Sequence, residues 1–159
     1  MNNRFDEVTV WVRDLSNINR PDFELTLPTS ESLSYEFDYL IADVEDDNNV
    51  FFTFGLYEYQ SLTKLNEIAE ALTEVEDINL LLAIHEAHSL DINKILDQDL
   101  ENYYIYGNYD LKEYAIEYVE ENYSDLDSFI LNCIDYEKMA REFSHDSNLN
   151  ETSQGLLIG

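Results

Sequence analysis

The chain has 159 residues, with 35 Asp and Glu against 8 Lys and Arg, a formal charge of −27. Direct nucleic-acid binding and docking on anionic lipid both need cationic patches, so this balance excludes both as partners. A composition that is 45% hydrophobic and 13% aromatic is too apolar for a disordered acidic tail.

The length allows one domain, or two or three small modules sharing a core. A single cysteine, Cys133, cannot form an internal disulfide and favours a reducing compartment. No apolar run approaches a membrane span, and the opening Met1-Asn2-Asn3-Arg4-Phe5-Asp6-Glu7 lacks the apolar core of a signal peptide. The expected setting is cytoplasmic. The acidity is dispersed: the longest acidic run is Glu45-Asp46-Asp47, and 12 tyrosines and 8 phenylalanines are interleaved with the carboxylates. Self-repulsion at this charge destabilises a compact state. A chain that keeps it lives in high salt or uses the charge.

In chain order, Val8-Thr9-Val10-Trp11-Val12 reads as a strand, and the strict alternation of Phe23-Glu24-Leu25-Thr26-Leu27 as its partner. Pro28-Thr29-Ser30 predicts a short helix over 31–35. Tyr39-Leu40-Ile41-Ala42 predicts a third strand, followed by a polar loop over 43–49 and an aromatic stretch over 50–54. From Ser61 the period becomes 3.6. Leu62, Leu65, Ile68, Leu72 and Val75 form one stripe, with Glu67, Glu70 and Glu74 on the other side. Asp77 can cap a helix that is apolar nearly all round, and Asp91 can cap another through Ile92, Ile95, Leu96 and Leu100. Tyr103-Tyr104-Ile105-Tyr106-Gly107 predicts a strand and turn. Asp110 then caps the clearest helix, with Leu111, Tyr114, Ala115, Tyr118 and Val119 on one face and Glu113, Glu117, Glu120 and Glu121 on the other. Residues 129–134 and 136–143 read as helical or turn-like, and Leu156-Leu157-Ile158 as a closing strand. The fold class is α+β: a small antiparallel-sheet module with one short helix (1–60), a central short-helix bundle (61–102) and a C-terminal α/β module (103–159).

Catalytic and metal motifs mostly fail. His85-Glu86-Ala87-His88 sets two histidines at i, i+3, whereas the zincin helix needs i, i+4 and position 89 is serine. The calcium-loop resemblance of 43–48 fails because Asn48 stands where the sharp-turn glycine belongs and Phe54 where the bidentate acid belongs. Four glycines leave no phosphate loop. Cys133 and a distant His145 do not make a nucleophile pair, and a lone cysteine between Asn132 and Ile134 is expected to be small and buried. No catalytic residue, metal site or cofactor is expected, and the chain reads as no enzyme.

What remains is the charge. Duplex DNA carries one negative charge per ~1.7 Å of axis, so this chain's net charge matches ~46 Å of duplex. The predicted helix over 110–123 repeats carboxylates every three to four residues, about 5–6 Å along one line. Like charges at i, i+4 cost a helix roughly 0.2–0.5 kcal/mol per pair, a cost accepted at Glu113–Glu117 and Glu117–Glu121. The candidate phosphate-mimicking surface comprises Asp43, Glu45, Asp46, Asp47, Glu67, Glu70, Glu74, Asp97, Asp99, Glu101, Asp110, Glu113, Glu117, Glu120, Glu121, Asp125 and Asp127. Tyr57, Tyr59, Tyr103, Tyr109 and Tyr123 are candidates for accompanying aromatic contacts.

The C-terminal third resembles a known family. Tyr103-Tyr104-Ile105-Tyr106 before an acidic helix, then Ile134-Asp135-Tyr136-Glu137-Lys138-Met139-Ala140-Arg141-Glu142, is similar to the end of the ArdA antirestriction proteins of plasmids, phages and conjugative elements. The matching positions are Asp135, Tyr136, Glu137, Ala140, Arg141 and Glu142. Glu142 stands where Asp is more usual, and the polar stretch 145–154 departs mildly from the pattern. Residues 61–69 also resemble the family's central region. The resemblance implies an elongated three-module protein that imitates bent B-form DNA and occupies the DNA channel of type I restriction–modification enzymes, inside the host bacterium. It also implies a homodimer; Phe129, Ile130, Ile134, Met139 and Phe143 are more than one short helix can bury, so the contact is expected to use the 135–142 segment. Composition and spacing indicate only a polyanionic surface. The same physics could serve against a CRISPR effector, a nucleoid protein or a repressor, and an acidic adaptor is the reading from a different class.

Overall fold

Alternating β-branched and aromatic residues give strand β1 (Val8–Asp14), whose Val8, Val10 and Val12 side chains are fully buried, as the period of two requires. Strands β2 (Phe23–Leu27) and β3 (Tyr39–Glu45) pair antiparallel on its two sides, in the order β2-β1-β3. The register sets Val8 opposite Leu27 and Thr9 opposite Glu45, with an irregularity between Trp11 and Val12. Asp14 lies on the core side and is buried. Its carboxylate meets Arg20 at 3.5 Å and accepts the Ser16 N–H at 2.8 Å, which offsets the cost of desolvating it. This computed structural model describes residues 3–159.

The helix expected over 31–35 does not form. The segment is irregular, and just before it the Thr29 backbone is held by the Asn66 amide, which accepts from Thr29 N at 2.8 Å and donates to Thr29 O at 3.0 Å. Hydroxyls of Thr29 and Ser32 bond the nearby N–H groups of Glu31 and Ser34, competing with helical bonding. Tyr35 and Phe37 pack against Phe23, and the Arg20 guanidinium sits 4.6 Å from the Phe23 ring centre. The short helix lies instead in the aromatic stretch, as α1 (Val50–Thr53). Both Asp46 carboxylate oxygens accept from the Val50 and Phe51 N–H groups, at 2.8 and 3.0 Å, so one side chain nucleates a turn that ring content alone disfavours. The third strand also runs on to Glu45, through residues expected in a loop.

Helix α2 (Leu62–Thr73) buries Leu62, Leu65, Ile68, Ala69 and Leu72, the stripe read from the sequence. Each large apolar side chain so buried contributes roughly 1.5–3 kcal/mol. Helix α3 (Ile78–His88) follows, with Asp77 accepting the Asn79 N–H at 3.0 Å, and α4 (Ile92–Leu96) is capped by Asp91. A single 3-10 turn, Leu100–Asn102, precedes β4 (Tyr104–Tyr106).

Helix α5 (Leu111–Asn122) starts in a full capping box: Asp110 accepts from Glu113 N at 2.8 Å, and the Glu113 carboxylate accepts from Asp110 N at 3.1 Å. Two shorter helices follow, α6 (Ser128–Asn132) and α7 (Tyr136–Phe143). The polar stretch 145–154 then yields a strand that the sequence reading left out, β5 (Leu149–Thr152), which pairs with β6 (Gly155–Ile158). Leu149 is its one buried side chain, so periodicity could not announce it. The second sheet is antiparallel in the order β4-β6-β5. Gly155 has φ +125° with the Tyr106 carbonyl against it; a Cβ there would come 2.2 Å from that oxygen.

The architecture is α+β. Its two compact units comprise residues up to Leu82 with Asp91–Asp97, and Ala83–Leu90 with Gln98–Gly159. The first unit's core holds Phe5, Val8, Val10, Leu27, Ile41, Phe51, Leu65, Leu72, Ile92 and Ile95. In the second unit, Leu111, Leu149 and Leu156 form the centre, with Tyr109, Tyr114, Ala140, Phe143 and Ile158 packed against them. Among the described residues, no helix is long and apolar enough to cross a membrane.

Candidate functional site

Every carboxylate of the candidate surface is exposed except Asp46, which is half-buried at the start of α1. In the first unit, Asp43 and Glu45 project from β3, Asp47 lies in the following turn, Glu67 and Glu70 stand on α2, and Glu74 and Asp97 end α2 and α4. In the second unit, Asp99 caps the 3-10 turn and Glu101 lies in it. Asp110 caps α5, while Glu113, Glu117, Glu120 and Glu121 lie along it. Asp125 and Asp127 follow in the connection to α6, which Asp127 caps. The ion pairs Arg13–Asp22, Arg20–Asp14, Lys94–Asp91 and Lys112–Glu137 use none of these acids. Both units carry the excess: 20 acids against five Lys and Arg in the first (−15), and 15 against three in the second (−12).

A groove in the first unit brings Glu45, Asp46 and Asp47 beside Asp6 and Glu7, with Arg4 and Asn48 also on its wall. The sequence reading missed Asp6 and Glu7. The antiparallel pairing of Thr9 with Glu45 runs the chain before β1 alongside the chain after β3, so the signal lay in strand register rather than in any motif.

In the second unit, α5 is buried through Leu111, Ala115 and Val119, which turns its glutamates outward. Tyr118, expected on the apolar face, is 36% exposed at its edge, against Tyr114 and Phe143. The Tyr109 hydroxyl donates to the Glu117 carboxylate. Burial first, then the Glu117 hydrogen bond and charge, pushes that hydroxyl's pKa well above the ordinary phenol value. Burial first and then the charge of Asp146 raise Tyr114 as well. Among the aromatic candidates, Tyr59 and Tyr123 are exposed at 83% and 49%. Tyr57, Tyr103 and Tyr109 are half-buried. Tyr104 and Tyr106 are exposed too, but the sequence could not tell them from Tyr103, since a three-residue strand carries too little pattern.

The Asp135-to-Glu142 motif forms α7. Asp135 is its N-cap, accepting from Lys138 N at 3.0 Å, and Glu137 reaches Lys112 on α5 at 3.5 Å. Tyr136 and Ala140 are half-buried, and Ala140 packs on the second core. Arg141 and Glu142 are exposed. Asp135, Lys138, Met139, Glu142 and Phe143 line a groove on this helix. Next to it in sequence, Phe129 and Ile130 are 75% and 49% exposed.

The residues singled out for chemistry have other surroundings. His85 Nδ1 lies 2.8 Å from the Leu90 carbonyl oxygen just past the end of α3, and the His88 ring meets Tyr103 edge-on. Cys133 is exposed, not buried as expected, because it ends a five-residue helix that buries no side chain. Among the described residues, no group of three or more His, Cys, Asp or Glu is placed to hold a metal ion.

No curated protein matches the chain. The family model described as antirestriction protein (ArdA) matches residues 4–157, which among the described residues run from before β1 through α1 to α7 and into β6. The acidic surface and the α7 motif thus sit within a match over nearly the whole sequence, and the chain belongs to the ArdA family of antirestriction proteins.

Proposed function

We propose that this antirestriction protein is a non-enzymatic DNA mimic, and that it occupies the DNA-binding channel of type I restriction–modification enzymes at their methyltransferase core. One observation carries the reading: exposed carboxylates on strands, helices and turns of both units, outside the ion pairs among the described residues. A surface that neutralised itself would offer a basic channel nothing; this one offers charge in lines, at a spacing within a factor of two of phosphates on a strand. The carboxylates named above, from Asp43 to Asp127, are its phosphate counterparts. A homodimer through α7 fits the same reading, with exposed Phe129, Ile130 and the Met139–Phe143 groove available to a second copy.

The test is displacement of labelled DNA from a purified type I methyltransferase at low salt, with a CRISPR effector and a nucleoid protein in parallel. Displacement from the methyltransferase is the expected result. Displacement only from one of the others redirects the mimic to that target, and no complex with any of them removes the reading.

A further inference from the structure

The second unit holds a cleft of about 120 Å³ walled by Tyr106, Tyr109, Tyr114 and Tyr118, with Glu117 and Glu121 at its side and Ile158 at its edge. A liquid water occupies ~30 Å³, so the space suits a small planar head group and little more. The rings stand in tilted pairs, with centres 5.4 Å apart for Tyr106–Tyr109 and 6.5 Å for Tyr114–Tyr118. Glu117 and Glu121 lie one helical turn apart on α5 and point to the same side. Tyr109 donates to one Glu117 oxygen, which steadies that carboxylate and leaves it further lone pairs. Glu121 makes none of the ion pairs among the described residues.

We propose that this cleft receives an arginine side chain of the protein whose DNA site is being mimicked, the guanidinium stacking on the tyrosine rings and forking to Glu117 and Glu121. The inference rests on the DNA-mimic reading, since a DNA channel is where arginines aimed at phosphates are found. Anions are repelled by a unit of charge −12, and an apolar side chain would leave two carboxylates against it unpaired. Among cations the geometry favours guanidinium over ammonium. It is planar, more weakly hydrated, stacks on aromatic faces and donates in a fork matched to carboxylates. DNA offers an arginine phosphate oxygens and base edges; here the ring faces would supply contact area that spaced carboxylates lack.

The direct probe is N-acetyl-arginine methylamide, titrated into the full chain while tyrosine ring resonances are followed by NMR, with the lysine analogue and sodium chloride in parallel. Saturable shifts confined to Tyr106, Tyr109, Tyr114 and Tyr118, stronger for arginine and lost in Glu121→Gln, are expected. Glu121 makes no hydrogen bond that holds the fold, and Tyr59 in the other unit serves as the ring outside the cleft. Shifts that rise linearly, include Tyr59 or match those from lysine or salt would overturn the proposal. In the DNA-displacement assay, Glu117→Gln/Glu121→Gln should weaken the inhibitor about tenfold more than Glu67→Gln/Glu74→Gln, which removes equal charge elsewhere. Equal losses would sink the cleft and leave the mimic standing. If the wild-type chain displaces no DNA, the mimic reading fails and the arginine titration alone decides the cleft.

Discussion

Asp110 shows how an acid can serve the fold and the surface together. Its carboxylate closes the capping box of α5 while remaining exposed. Asp110→Ala should cost about 1 kcal/mol of stability in chemical denaturation, whereas Asp110→Asn should cost little, since the amide oxygen still caps. Glu151 also holds the Leu111 N–H at 3.0 Å, so the helix start should not unravel entirely. Tyr109 gives a second expectation, at alkaline pH. Its hydroxyl ionises later in the fold than in the unfolded chain, because burial and Glu117 oppose the phenolate. Below about pH 10 both states hold the proton and stability is unaffected. Above that the unfolded chain loses it first, and stability falls as pH rises. Denaturation midpoints followed upward from about pH 9 should decline more gently in Tyr109→Phe than in wild type; parallel declines would show that the phenol is not held back.

At the scale of elements, α5 separates distributed from local binding. Exposed single charge pairs are worth under about 1 kcal/mol, so Glu117→Gln alone should lower affinity for a type I methyltransferase only slightly. Neutralising Glu113, Glu117, Glu120 and Glu121 together should weaken it visibly, and the variant should be no less stable, because like charges at i, i+4 are relieved. If the single change abolished binding, a hot spot would replace the distributed surface. Helix α7 bears on assembly. Arg141 is exposed in its last turn, outside the ion pairs among the described residues, where a second copy's carboxylates could meet it. Light scattering at tens of micromolar should find a dimer for wild type and a weakened one for Arg141→Ala. A strictly monomeric wild type would remove the homodimer.

For the whole molecule the deciding variable is salt. DNA binding draws on release of condensed counterions, so its affinity falls steeply with salt. Carboxylates on a folded surface are sparser than phosphates and condense fewer ions. The inhibitor's affinity should therefore fall with a shallower slope than DNA's for the same methyltransferase, measured from roughly 50 to 500 mM. Exposed rings such as Tyr59, Tyr104 and Tyr123 can supply the remainder through contacts indifferent to salt. An equally steep slope would contradict this account. A chain whose charge served only a high-salt habitat would instead gain stability with salt and form no complex.

The sequence by itself determined the strands of the first sheet, the apolar stripes of α2 and α5, the caps Asp91 and Asp110, and the resemblance in 135–142. Each of these is a short-range signal, written in periodicity or in adjacent residues. It also determined that the charge had to be exposed, because so many carboxylates could neither be buried nor be paired by eight cations. Only the structure shows that Asn66 pins the Thr29 backbone just ahead of irregular 31–35, that Asp46 turns an aromatic stretch into α1, and that β5 exists because β6 offers it an edge. It alone gathered Asp6 and Glu7 with Glu45, and Tyr106 with Tyr118 and Glu121. The Asp46 turn and the β5–β6 pairing are local but carry no periodic signal; the Asn66 bonds and the two gatherings join residues distant in sequence, and a one-dimensional pattern does not record which distant groups a backbone will bring within reach.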